Sequence, residues 1–419
     1  MTKVWALLFL GVLHFRVDFL RAHLPGTSAH PVVVGFALPA PLRRYADTPL
    51  RPLWFRLRRA VFLLLICFPG VAAAGTLDSQ GWELVEPGLQ IQFPRDYGPH
   101  FSFRTEWWYF TGNLRSRDGR EFGYQLTFFR HGYRPPATRT PVSSSFVMND
   151  LIFAHFTVTD VGAQQFHFAG KASRGAFGEA GFTKGSRLVW LDDWELDQNG
   201  GFHLRAAESD YAIDLDLEPA KPPLLQGDGG FSRKAAGEGH ASEYYSITRL
   251  ATHGTLRLGA DNFSVSGNSW FDREWATNQL APDQAGWDWF AIQLSNGSDL
   301  MLYQMRLKSG GVDRFSRGKL IRPDNSVVDL GANDFELVPQ RFWVSPKSQA
   351  RYPIAWRLGI PKLNLESDIR TPVENQELNL GVRYWEGCIR IEGTKNSKPI
   401  DGVGYMELTG YEGSVPAVQ

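Results

Sequence analysis

Trp107-Trp108-Tyr109-Phe110-Thr111-Gly112-Asn113-Leu114 returns 180 residues later as Trp287-Asp288-Trp289-Phe290-Ala291-Ile292-Gln293-Leu294. Each copy runs into a glycine-containing turn, Arg117-Asp118-Gly119 or Asn296-Gly297, and then a second apolar stretch. There Tyr124-Gln125-Leu126 answers Tyr303-Gln304-Met305, now 179 residues apart, so the two turns differ by one residue. Aromatic segments joined by an Asn-Gly or Asp-Gly turn are hairpin signals. Two unrelated aromatic hairpins would give the same local pattern, but the matched positions favour duplication. Duplication predicts two β-domains joined near Ala281-Pro282-Asp283.

The neighbouring text continues as strands. Residues 210–217 alternate: Ile213, Leu215 and Leu217 face one way, Asp214 and Asp216 the other. That is a strand with one wet face. Further strands are expected at 151–159, 164–172, 202–207, 244–250, 255–265, 313–321, 335–343, 383–392 and 403–410. No long window carries helical periodicity. The Gly/Pro-rich stretch 219–239 reads as a long loop, a common form for lids. Short antiparallel strands must hide their edges, and barrel closure does so. The pattern alone fits two lipocalin-like barrels or two sandwiches.

Composition agrees. The chain has 419 residues, 13% of them aromatic, with 42 Gly, 25 Pro and only 5 Met. Its 44 basic and 44 acidic side chains cancel, which argues against a nucleic-acid binder. Cys67 and Cys388 have no Cys or His at zinc spacing, so no cysteine-based metal site is expected.

Residues 1–74 read as an upstream extension plus a signal peptide. Arg56, Arg58 and Arg59 precede the apolar run 60–68, Pro69-Gly70 breaks it, and Val71-Ala72-Ala73-Ala74 offers a cleavage site after Ala74. The run is too short for a bilayer, which needs roughly 20 residues. A start site placed too far upstream would explain the stretch before it; a genuine extension with a membrane-associated first segment is the alternative. Arg58-Arg59 has a faint twin-arginine character. The segment holds nine basic and two acidic residues, so the remaining 345 residues carry a net charge of −7. They keep a lone Cys388, which rules out an intramolecular disulfide in an exported chain. The expected domains are therefore 76–280 and 281–416, periplasmic or extracellular.

Candidate chemistry concentrates in three strands. In Arg104-Thr105-Glu106-Trp107-Trp108-Tyr109-Phe110, strand geometry puts Glu106, Trp108 and Phe110 on one face, Trp107 and Tyr109 on the other. A carboxyl on an apolar face has a raised pKa and suits a general acid; pairing with Arg104 is the structural alternative for Glu106. In Gly267-Asn268-Ser269-Trp270-Phe271-Asp272-Arg273-Glu274-Trp275, Trp270, Asp272 and Glu274 share a face, opposite Phe271, Arg273 and Trp275. Two carboxyls two residues apart couple, and one can stay protonated; an ion-pair network is the alternative. Asp288 is a third candidate acid. His155, flanked by apolar residues, is either a hydrogen-bonded core group or an inward proton-transfer group. No G-x-S-x-G, P-loop, G-x-G-x-x-G or H-E-x-x-H motif occurs, so no cofactor is expected.

These blocks resemble the hydroxyneurosporene synthase (carotenoid 1,2-hydratase) and AttH-like family of lipocalin-like proteins. The resemblance rests on EWWYFTGNL (106–114), YQLTFFR (124–130), AHFTVTD (154–160), EYYSITRL (243–250), GNSWFDREW (267–275) and WDWFAIQLSNGSDLMLYQMR (287–306). It implies an all-β fold of two consecutive lipocalin-like antiparallel barrels. It also implies water addition to an isoprenoid double bond without metal or redox cofactor. The chain looks closer to the AttH-like branch than to the carotenoid hydratases, and the resemblance leaves Asp272, Glu274 and Asp288 all open as the acid.

Two functions follow as expectations. A hydratase would take an apolar isoprenoid or related lipid into a cavity lined by Trp107, Trp108, Trp270 and Trp289, with Tyr109, Trp275 and Tyr303 as further ligand-binding rings. Asp272 or Glu274 would protonate the alkene, with Asp288, Glu106 and His155 as the other candidate catalytic groups. A non-catalytic lipid carrier or accessory of a transport system, associated with a membrane or transporter, would need the rings and no acid.

Overall fold

The computed structural model describes residues 75–139, 147–278 and 280–411. The signal-peptide pattern, the segment upstream of it and Cys67 lie outside the described residues. One sheet holds β1 (Thr105–Ser116), β2 (Glu121–Gly132), β3 (Asp150–Asp160), β4 (Gln165–Ser173), β5 (Ala180–Phe182), β6 (Arg187–Leu191) and β7 (Trp194–Asn199). It continues with β8 (Gly201–Ala207), β9 (Tyr211–Pro219), β10 (Leu224–Leu225), β11 (Phe231–Arg233), β12 (Ala241–Leu258) and β13 (Asp261–Ala276). The other holds β14 (Gln284–Leu294), β15 (Asp299–Leu307), β16 (Arg317–Ile321), β17 (Val327–Gly331) and β18 (Glu336–Val344). Its remaining strands are β19 (Arg351–Ile360), β20 (Leu365–Arg370), β21 (Glu377–Leu380), β22 (Val382–Lys395) and β23 (Lys398–Thr409).

The two sheets repeat one topology. The first runs β4-β3-β2-β1-β13-β12-β9-β8-β7-β6-β5, the second β17-β16-β15-β14-β23-β22-β20-β19-β18. In each, the opening strand lies between its hairpin partner and the last strand of its own sheet. The fold is all-β, two consecutive lipocalin-like barrels, with helix confined to short 3₁₀ turns among the described residues.

Two local expectations change. Residues 244–250 and 255–265 are not two separate strands. The first lies within the long strand β12, which continues through a register shift between Ile247 and Leu250; the second straddles the turn into β13. The 219–239 stretch is not an open loop. It carries β10 and β11 against β12 and so lies as a strap along the barrel.

The period of two decides what is buried where. Phe110, Phe271, Trp108 and Trp275 point into the first barrel, where Phe110 and Phe271 stack at 4.3 Å. Phe290, Ile292 and Trp385 point into the second. The opposite faces of β1, β13, β14, β15 and β23 are also apolar and pack on one another. Tyr109, Trp270, Trp289, Tyr303 and Tyr405 form this third cluster. Each ring of that size contributes roughly 4–6 kcal/mol of gross transfer free energy, before the entropy of ordering it.

Repeat-matched amides help fix this contact. Asn113 Nδ2 donates to Gly404 O (3.1 Å), and its counterpart Gln293 Nε2 donates to Thr248 O (2.8 Å) and Ser269 O (3.0 Å). Lys221 and Arg249 of the first barrel hold Asp299 of the second at 2.8 and 2.5 Å.

Candidate functional site between the barrels

The layer between the barrels is aromatic but not dry in chemistry. Asp272 is the centre of one half. Its carboxyl accepts from Tyr244 OH (2.6 Å), Ser246 Oγ (2.5 Å) and Trp270 Nε1 (2.7 Å), and among the described residues no cation forms an ion pair with it. Burial pushes its pKa up to about 7; the three donors pull against this, and the Glu274 charge adds to it. Trp289 Nε1 donates to Tyr244 OH at 3.1 Å and so belongs to the same network.

Glu274, two residues along on the same face, has a different fate. Lys234 Nζ sits 3.1 Å from it, and Ser242 Oγ donates to it. Lys234 comes from the strap and lies over the rings of Tyr303 (4.2 Å) and Tyr244 (4.9 Å). The strap also delivers Gln226, which donates to Ser246 Oγ at 2.8 Å.

The other half is built by β22 and β23 against β1, β2 and β3. Tyr109 OH donates to Glu386 Oε1 at 2.5 Å. Glu386 is fully buried, and burial together with the Glu407 charge holds its pKa well above the usual carboxylate range. Burial raises Glu407 to about 8 despite a bond from Trp287, and it feels the charges of Glu274 and Asp272. His155 Nδ1 and Tyr384 OH are 2.7 Å apart, and burial lowers the imidazole to about 4, so the ring is neutral at pH 7. Gln125 Nε2 donates to Thr127 Oγ1 at 2.5 Å.

The indole of Trp289 joins the halves. Tyr109 meets it edge-on at 5.2 Å, Trp270 edge-on at 6.2 Å, and Tyr244 accepts from its nitrogen. Two tyrosines thus flank one indole, and each bonds a buried carboxyl. A cavity of about 10 Å³ lies beside this region, lined by Thr111, Asn268, Trp270, Gln293 and Tyr405 among others.

The structure gathers Asp272, Glu274, Trp270, Trp289, Tyr303, Trp107, Tyr109 and His155 into this layer and sends the other candidates elsewhere. Glu106 is inside the first barrel. Burial alone would raise its pKa, but the charges of Arg130 and Arg273 hold it well below the carboxylate range. Both guanidiniums bond it, and His100 N donates to Oε2 at 3.0 Å. The expectation of a protonated acid at Glu106 is therefore corrected. Arg104, its expected alternative partner, pairs instead with Asp78 at 3.3 Å.

Trp108 donates to Tyr97 O (2.7 Å) inside the same barrel, and Trp275 stacks on His100 at 3.7 Å. The expected cavity lined jointly by Trp107, Trp108, Trp270 and Trp289 does not form, because successive strand residues face opposite ways. Asp288 points into the second barrel, bonded by Arg306 Nε (3.1 Å) and Tyr411 OH (2.8 Å). Burial lifts it to about 6 against the pull of Arg306. A larger surface pocket of about 280 Å³ opens beside Ile152, Arg174, Phe177 and Phe182, away from the raised carboxyls.

Glu386, Glu407, Tyr244, Tyr384 and Lys234 were not singled out from the sequence. The one signal for them was parity: Glu386 and Glu407 each sit mid-strand among apolar neighbours, two residues from a tyrosine.

An all-β protein of two lipocalin-like barrels with buried carboxyls, some of them of raised pKa, packed between them defines the class. Residues 84–411 match the AttH-like family model, and the chain belongs to that family. A crystal structure of an AttH from Nitrosomonas europaea is 35% identical, with a TM-score of 0.71, covering 79% of this chain and 99% of that one. Kievitone hydratase from Nectria haematococca shares the fold at 13% identity and a TM-score of 0.60, covering 80% of this chain and 98% of its own. In sequence, the dehydratase asqC of Emericella nidulans is 20% identical over 275 residues, 60% of this chain and 75% of that protein. Kievitone hydratase of Fusarium solani subsp. phaseoli is 25% identical over 172 residues, 39% of this chain and about half (48%) of that protein.

Proposed function

We propose that this protein adds water to, or removes it from, a carbon–carbon double bond of an apolar substrate, with Asp272 as the general acid. The observation that carries this reading is Asp272 itself: a buried carboxyl with three donors, no ion-paired cation among the described residues, and a pKa about 7. Such a group is protonated in a useful fraction at neutral pH, which is what alkene protonation needs. The family membership and two relatives named for hydration and dehydration support the same reaction type.

In the hydration direction the alkene π pair takes the Asp272 proton and forms a C–H bond. The resulting cation lies against the faces of Trp289 and Trp270. A water lone pair forms the C–O bond, and the proton it sheds returns to the Asp272 carboxylate. Alkene and water become alcohol, and acid and charge are restored. Isoprenoid chains are the substrate class to try first, since the apolar part of the layer is mostly aromatic rings with the thioethers of Met301 and Met305.

Export belongs to the same proposal: the 60–74 pattern would release a chain starting at Gly75. N-terminal sequencing of protein from the producing cells tests it. For the reaction, purified protein is offered a panel of prenyl and carotenoid alkenes and the matching tertiary alcohols. Turnover that disappears in Asp272→Asn and persists in Asp288→Asn is expected. A panel without turnover, alongside a co-purifying lipid in native mass spectra, would replace the enzyme by a carrier.

A further inference from the structure

Several buried polar atoms in the layer have no hydrogen-bond partner, Thr157 Oγ1, Tyr405 OH and Gln226 Oε1 among them, and two more, Glu386 Oε2 and Gln125 Oε1, lie on side chains that both act on Tyr384. Both side chains are fully buried. An orphaned buried polar group costs about 1–3 kcal/mol, so native proteins keep few of them outside binding sites. These two converge on one residue: Tyr384 takes a hydrogen bond from Gln125 and feels the Glu386 carboxyl.

Their chemistries are complementary. Gln125 spends its amide nitrogen on Thr127, so its free atom is an acceptor. Glu386 Oε1 accepts from the Tyr109 hydroxyl and Oε2 is left unpartnered, so the proton that its raised pKa favours has Oε2 as its place, a free donor. One donor and one acceptor, both uncharged, match a neutral oxygen that bears both a proton and lone pairs. They do not match an anion, which Gln125 would repel, or an apolar carbon.

We propose that Glu386 and Gln125 bind a single hydroxyl oxygen, on the Tyr109 side of Trp289, while Asp272 stands on the Tyr244 side. It rests on the hydratase reading for the oxygen's fate: water held here attacks the cation, and in reverse the same atom is the hydroxyl about to leave. No other group is oxidised or reduced; the oxygen forms one C–O bond and loses one proton, as written above. The neutral His155–Tyr384 pair and Tyr109 are positioning residues, which fix the two binding groups. The layer thus has an acid on one flank of an indole and an oxygen site on the other, which requires substrates short enough across the double bond to lie along Trp289.

The test is a crystal structure of the full chain, alone and soaked with 2-methylbutan-2-ol. A water bonded to both Glu386 and Gln125 is expected in the first. Displacement of that water by the alcohol oxygen assigns the site to the substrate hydroxyl as well; a water that stays with the alcohol elsewhere assigns it to water, and the oxygen site holds in both cases. Gln125→Leu should lose the oxygen, whereas Glu386→Gln, which keeps a donor, should retain it. On a turned-over alkene, Gln125→Leu should lower kcat/KM about ten- to hundredfold with thermal unfolding unchanged. No oxygen at the site in the wild type, or full turnover in Gln125→Leu with the oxygen gone, overturns the proposal. An oxygen in place with no turnover on any alkene instead rejects the hydratase reading and leaves the site standing.

Discussion

Glu106 and Asp272 face each other's strands in one sheet, both buried, and their carboxyls behave oppositely. Glu106 points into the first barrel between two arginines. Asp272 points out toward the second barrel among hydroxyls and an indole. Burial penalises the charged form in both places. Only the presence of Arg130 and Arg273 on one side reverses the sign. Burial raises a carboxyl's pKa unless the surrounding cations outweigh it: two guanidiniums do so at Glu106, whereas the single Arg306 at Asp288 leaves it raised to about 6. Glu274, on the same face as Asp272, is ion-paired with Lys234 at 3.1 Å.

The largest effect should come from breaking the saturated cluster. Removing Arg273 leaves a buried carboxylate short of one partner, which costs about 3–5 kcal/mol. Denaturant unfolding of Arg273→Met should show that loss, while Asp272→Asn, close to isosteric with a neutral acid, should stay within about 1 kcal/mol of wild type. Equal losses in both would erase the distinction. Activity should show the reverse. Asp272→Asn should lower kcat/KM about 10²–10⁴-fold at pH 7, and the wild-type rate should fall as pH rises above about 7, where the acid form disappears.

Stability against pH sharpens the comparison further. Asp272 and Glu407 fold with pKa values raised to about 7 and about 8, against roughly 4 in the unfolded chain. Their contribution is full below about pH 4 and is lost as pH climbs toward 7 to 8, at up to about 1.4 kcal/mol per group per pH unit. Glu106 has the opposite sign: its contribution is present above the unfolded value and is lost as pH falls through the depressed folded one. Asp272→Asn and Glu407→Gln should flatten the slope between about pH 4 and 8. Glu106→Gln should flatten only the acid limb. A small effect is expected at Tyr109→Phe, which removes one hydrogen bond to Glu386 and should cost about 1 kcal/mol in the same assay.

The repeat in 107–114 and 287–294 made the β-architecture readable, and strand parity placed Trp270, Asp272 and Glu274 on one face. Parity could not say which face was the barrel interior, because both faces are apolar. The sequence therefore suggests one cavity lined by Trp107, Trp108, Trp270 and Trp289, whereas Trp108 lies inside the first barrel and the rings of Trp270 and Trp289 meet between the two. The charge state of Glu106 is hidden in the sequence for a related reason. Its counter-charges Arg130 and Arg273 stand 24 and 167 residues away and reach it only through strand pairing. Glu386 and Glu407 are not legible in the sequence, because they meet only where β22 pairs with β23 and sets them opposite each other, and because Tyr109, which bonds Glu386, comes from a strand 277 residues away.

The most direct measurement is an infrared spectrum of the protein at pH 7 in the region of protonated carboxyls. A protonated carboxyl band should be present in the wild type, weaker in Asp272→Asn and in Glu386→Gln, and unchanged in Glu106→Gln. No such band at neutral pH, or a band that vanishes with Glu106 and survives the other two substitutions, would contradict the assignment of the acids to the layer between the barrels.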